Sequence, residues 1–182
     1  EGISFLRSKE AWLRSHLNDV SPVMSVSQTR SVMYRGKSSS ITAMESGRAG
    51  IDAYGVAVSA GRPIGAQVKG LLRQKARDVL AEASDRYAAQ LGKQYTRLTI
   101  RDTRSRWGSC SADGALMYSW RLIMAPPEVL EYVAAHEVAH LVEMNHQPAF
   151  WAVVAELFPD YQSKRSWLRE NGDQLHRVSF DD

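Results

Sequence analysis

Three of the chain's five histidines fall within eleven residues, in His136-Glu137-Val138-Ala139-His140 followed by Asn145-His146. At about 3.6 residues per turn, His136 and His140 project from one face of a helix, one turn apart. Two imidazoles so placed can share one metal ion, and Glu137 stands beside it to accept a proton from water at the ion. The preceding Tyr132-Val133-Ala134-Ala135 is apolar. Unpartnered polar groups there would carry a desolvation cost, and a metal is their natural partner. The pattern points to a zinc hydrolase with Glu137 as general base.

Zinc needs a third protein ligand and an open fourth position. Glu143, His146 and Glu156 are the candidates. In an unbroken helix Glu143 stands roughly 10 Å beyond His136 along the axis, too far to share an ion. His146 lies between Asn145 and Pro148, where the helix should break and the chain reverse, so a turn can return it to the ion. Glu156, on the following helix, could reach by packing across. His146 is favoured over Glu156. Arg104, Arg106 and Arg121 are candidates to face developing negative charge, against the plainer reading that they hold carboxylates or coat the surface. Cys110, Trp107 and Trp120 read as core, and His16 and His176 have no companions.

The elements that position these residues follow from periodicity. Residues 5–17 place apolar side chains at helical spacing, and residues 21–29 read as a polar loop. Three short strands are expected at 31–35, 40–44 and 51–58, with glycine turns between them. Residues 67–91 keep an i, i+3, i+4 apolar rhythm and predict one long amphipathic helix. Strands are expected at 95–101 and 115–124, joined by an irregular link over 102–114. Pro126-Pro127 opens the metal helix, which the stretch 145–148 breaks. Helices at 149–157 and 160–175 close the chain. Helices and strands are segregated, which predicts an α+β fold.

A chain of 182 residues with 44% hydrophobic content can bury one good core. We expect a single domain over 1–182, with an N-terminal helix and small β region over 1–64 and the catalytic core over 65–182. A net charge of +3 is compatible with anionic substrates but far short of a dedicated nucleic-acid binder. The single cysteine, Cys110, excludes an internal disulfide framework and favours a reducing compartment, hence the cytoplasm. No apolar run approaches the ~18 residues that span a bilayer. The chain begins at Glu1 rather than Met, so its start is expected to be truncated, with a signal peptide left open.

Several motifs, in order and at specific spacings, carry a family resemblance. They are Arg106-Trp107-Gly108-Ser109-Cys110-Ser111, Trp120-Arg121-Leu122-Ile123-x-Ala125-Pro126, His136-Glu137-x-x-His140-Leu141, Asn145-His146-x-x-x-Phe150-Trp151 and Pro159-Asp160-Tyr161. Together they resemble the YgjP-like metallopeptidase family, a zincin group similar to the SprT and WLM proteases. The match is strong over 103–175 and thinner before Gly65. The resemblance implies a minimal zincin core of small sheet, long backing helix and metal helix. It also implies Zn2+ held by His136, His140 and His146, with Glu137 catalytic. Val138 and Tyr118-Ser119 stand where Leu and Phe-Asn are expected.

A peptide or protein is the first substrate expected, added as a strand along residues 115–124. A nucleoside triphosphate, hydrolysed to release pyrophosphate, is an alternative motivated by Arg97, Arg101, Arg104 and Arg106. No glycine-rich phosphate loop accompanies them. A DNA-associated protease of the SprT or WLM type is a third reading, weakened by the modest charge and the lack of a zinc ribbon. A closed structural zinc site would want a fourth protein ligand.

Overall fold

The computed structural model describes residues 23–52 and 54–181. The helix expected over 5–17, with His16, lies outside the described residues. Among the described residues nine strands and five helices follow one another. The N-terminal part holds β1 (Met24–Ser25), α1 (Val26–Thr29), β2 (Ser31–Tyr34), β3 (Lys37–Met44), β4 (Gly50–Ile51) and β5 (Val56–Ser59). Next come α2 (Ile64–Gln90), β6 (Arg97–Arg101), β7 (Gly108–Cys110) and β8 (Ala115–Ser119). A 3-10 turn, Trp120–Met124, leads into α3 (Pro127–Ala139), α4 (Pro148–Leu157), α5 (Tyr161–His176) and β9 (Val178–Ser179). The architecture is α+β. Among the described residues no helix is long and apolar enough to cross a membrane.

Three small sheets form. One has the order β2-β3-β5-β4, a second β6-β8-β7, and β1 pairs with β9. The two larger sheets are mixed, with β3 parallel to β5 and β6 parallel to β8, and β1 pairs β9 in parallel. The strand expected over 51–58 is two strands. Between them Gly55 adopts φ +146°, and a Cβ there would lie 2.7 Å from the Ser40 carbonyl oxygen, so the chain turns where only glycine fits.

The long helix α2 backs the fold. Its buried residues Val68, Leu72, Ala76, Leu80, Ala83 and Tyr87 recur every three or four positions, which is why the segment is a helix and which face it covers. Each fully buried leucine of that row contributes about 1.5–3 kcal/mol. Ser84 Oγ and Tyr118 Oη lie 3.0 Å apart, tying α2 to β8 through two buried hydroxyls. Glu131 on α3 pairs with Arg86 and accepts a hydrogen bond from Tyr87 at 3.0 Å.

Two further expectations change. The strand expected over 115–124 stops at Ser119, and the next five residues, all buried, wind into the 3-10 turn. Burial of both sides of this segment outweighs its strand-like composition. The link over 102–114 holds β7, too short for its periodicity to be read. As a result β8 is the central strand, hydrogen-bonded on both edges, and cannot accept a substrate strand; β7 is the terminal strand of that sheet.

Candidate metal centre

α3 is nearly encircled by core. Val129, Leu130, Tyr132, Val133, Ala134, Ala135, Val138 and Ala139 are buried, and so is Glu137. A helix this apolar fixes its rotation by packing, so the direction of each polar residue on it is determined. The helix ends at Ala139, about a turn earlier than the sequence suggests, with His140 as its C-cap. The chain then tightens through Leu141 N–H to Val138 O and Val142 N–H to Ala139 O. The early end removes the straight-helix premise on which Glu143 was set aside. What Glu143 supplies is its backbone carbonyl, 3.0 Å from His140 Nδ1. A carbonyl can only accept, so Nδ1 carries the proton and His140 Nε2 keeps its lone pair for a metal.

His136, His140 and His146 bring one ring nitrogen each to within 4.8 Å of one another. The Nε2 atoms of His136 and His146 are 3.1 Å apart. Two nitrogens bound ~2.0 Å from one tetrahedral ion would stand roughly 3.3 Å apart. The three residues come from the middle of α3, its cap and the loop before α4. Neither Glu143 nor Glu156 contributes a carboxylate to this group; Glu156 is exposed on α4.

Phe150, fully buried on α4, supports all three rings. It stacks on His140 at 4.4 Å and meets His146 edge-on at 4.7 Å and His136 at 4.9 Å. Trp151 adds a second wall, 5.7 Å from His136. The Phe150-Trp151 pair is visible in the sequence, but nothing there distinguishes a support for imidazoles from ordinary core.

Burial, and then the neighbouring charges of His140, His146 and Arg165, push the His136 imidazole down to about 3, so it is neutral at ordinary pH. Burial likewise lowers His140. Neutral imidazoles are the form that ligates. Burial raises Glu137 to about 8, opposed by the charge of Arg106. The set of three imidazole nitrogen donors with one side open fits a divalent cation of the zinc type.

The open side is a pocket of about 220 Å³ lined by Gly108, Ser109, Cys110, His136, Glu137, His140, Met144 and His146. β7 therefore forms one rim. Cys110 is half-buried rather than a core filler, and burial, then Glu137 and Asp113, raise its thiol to about 11. Its sulfur is not among the ligand atoms that converge with the three imidazoles.

The three arginines named from sequence separate. Arg106 is the one whose charge acts on Glu137. Arg104 is exposed, and its charge is felt at His176. Arg121 is buried and committed elsewhere: its Nε donates to Asp102 at 2.7 Å and its Nη1 to the carbonyls of Leu175 and Val178. A guanidinium held by those acceptors is a strut, which corrects the expectation that it could face substrate. Tyr118 and Ser119 are likewise fully buried, while His176 stacks on Trp107 at 4.9 Å.

A buried carboxylate lining one pocket with three converging imidazoles is the arrangement a metallohydrolase would use. A family model described as YgjP-like, metallopeptidase domain, matches residues 1–171, and the chain belongs to that family. The match includes the N-terminal region, where the motifs are thinnest. Among solved structures the chain is similar to the metallopeptidase zymogen abylysin of Pyrococcus abyssi. The two share 22% identity with a TM-score of 0.45, over 52% of this chain and 93% of that one. A search of curated proteins finds no match.

Proposed function

We propose that the protein is a zinc-dependent peptidase in which His136, His140 and His146 hold the ion and Glu137 is the general base. The convergence of three imidazoles beside a buried carboxylate carries this reading. A bound zinc ion would act as a Lewis acid, acidifying water and polarising the scissile carbonyl. Glu137 would take the water proton and deliver it to the leaving amine. Burial raises Glu137 in the metal-free site, and a bound cation would favour the ionised form that accepts a proton. Arg106, whose charge reaches Glu137, is our candidate to face the developing oxyanion.

The substrate would lie along β7, whose outer edge is unpaired among the described residues and whose Gly108 and Cys110 line the pocket. An extended peptide adding to that edge passes the metal ligands with its backbone already hydrogen-bonded. One core cluster runs from Val26 to Phe180, which supports reading the chain as a single domain. The lone cysteine supports a reducing, cytoplasmic setting.

A second reading, hydrolysis of a nucleoside triphosphate, is favoured by one observation: a groove lined by Arg97, Arg101 and Arg106 next to the pocket. A single panel separates the two. Zinc-loaded protein and its Glu137→Gln variant are offered casein, peptides and nucleoside triphosphates. Peptide cleavage that is lost in the variant is the expected result. Pyrophosphate release without peptide cleavage overturns it.

A further inference from the structure

The sheet β6-β8-β7 has two unlike faces. Leu116 and Tyr118 of β8 are buried toward the helices, and Leu98 and Ile100 of β6 pack on the same core. Gly108 of β7 points the same way, since a Cβ on it would run into the Glu137 side chain. The alternate residues Arg97, Thr99, Arg101, Ser109 and Met117 line a groove of about 330 Å³ on the opposite face, closed at one end by Arg106. Among the described residues no acidic side chain lines this groove. Asp113 sits at its rim, 3.8 Å from Arg97 in an exposed pair that neutralises little.

Ser109 lines both this groove and the metal pocket. β7 is therefore the partition between them, with Gly108 and Cys110 looking into the pocket and Ser109 into the groove. A strand laid along the edge of β7 shares that alternation. Where one of its side chains falls on the pocket side, the next falls on the groove side beside Ser109, with β7 and β8 between it and Arg97 and Arg101 of β6, so a long side chain points along the groove toward them.

We propose that this groove selects acidic side chains at alternate positions of a polypeptide substrate. This rests on the peptidase reading above and adds its substrate class. Three guanidiniums and several hydroxyls on a floor of Ala115 and Met117 suit carboxylates, which accept bidentate hydrogen bonds from arginine. Continuity with the edge of β7 favours a polypeptide over a free phosphate, because the same strand that enters the pocket would carry the charges into the groove.

The test uses quenched fluorescent peptides with Glu, Gln or Lys placed singly at each of six positions around the cleaved bond. Zinc-loaded wild-type protein should prefer Glu over Gln by roughly five- to tenfold in kcat/KM, and only at every second position. That ratio should fall toward one in Arg97→Gln/Arg101→Gln. It should invert toward Lys in Arg97→Glu/Arg101→Glu, a gain that a misfolded protein cannot show. Equal cleavage of Glu and Gln peptides, or a preference spread evenly over all positions, overturns the proposal.

Should no peptide be cleaved, the peptidase reading fails, but the groove is still tested by fluorescence anisotropy with the Glu137→Gln protein. Glu peptides binding about fivefold tighter than Gln peptides support it. Equal binding, or displacement of both peptides alike by inorganic triphosphate or an oligonucleotide, overturns it.

Discussion

Gly108 lies directly against Glu137: a Cβ built on the glycine would stand 2.5 Å from the Glu137 Oε1 and 2.6 Å from its Cγ. β7 and α3 thus touch through backbone on one side and carboxylate on the other. A single methyl group at 108 must push Glu137 aside. Gly108→Ala is expected to lower kcat about a hundredfold while leaving bound zinc near one equivalent. Turnover by the zinc-loaded variant, with metal content by mass spectrometry, measures both. Undiminished kcat would remove Glu137 from the role proposed for it.

The third ligand can be assigned by affinity. His146→Ala should weaken zinc binding by at least about a hundredfold, since it strips one of three donors, and Glu156→Ala should not change it. Competition with a chromophoric chelator reads both constants. The reverse order would transfer the third position to Glu156.

The metal-free protein should have an unusual pH profile of stability. Glu137 is raised to about 8 in the folded state, so its contribution is complete below its unfolded value and is lost as pH rises toward 8. His136 is lowered to about 3, so its contribution is complete above its unfolded value and is lost as pH falls toward 3. Between about pH 4.5 and 6.5 these two slopes oppose each other, and the lowered His140 and His176 add a rise toward 6.5, above which stability should decline. Urea midpoints across pH 3–9 give the curve. Zinc should abolish the alkaline decline, because a cation beside Glu137 favours its ionised form.

Arg121 is 8% exposed and depends on Asp102 for its compensating charge. Asp102→Ala leaves that guanidinium with carbonyl acceptors alone and should cost about 2–4 kcal/mol, discounted because Asp102 itself is partly exposed. Chemical denaturation measures the loss. A change below about 0.5 kcal/mol would mean that the carbonyls of Leu175 and Val178 suffice.

The metal helix was legible because its signal is local: two histidines one turn apart on an apolar helix announce their own geometry. The long helix α2 was legible for the same reason, through the row from Val68 to Tyr87. What could not be read was pairing. Gly108–Cys110 is a strand only because β8 lies beside it, and three residues carry no period of their own. Trp120–Met124 reads as strand by composition, and its winding into a 3-10 turn is imposed by burial around it. Arg104, Arg106 and Arg121 are alike in sequence. Asp102 and two distant carbonyls, reached only after the chain folds back, make Arg121 a strut and leave Arg106 near the pocket.

The segment after residue 171 has a bearing on how the protein is handled. The family match stops there, yet Leu175 and Val178 supply carbonyls to Arg121, Phe180 meets Trp120 edge-on at 5.1 Å, and Val178–Ser179 pairs with Met24–Ser25. Gly65 at the start of α2 lies so close to the Phe180 backbone that a Cβ would overlap its carbonyl. The boundary drawn by sequence similarity and the boundary drawn by packing therefore differ by about ten residues. A clone trimmed to the former would lose the clasp that fastens the beginning of the described chain to its end.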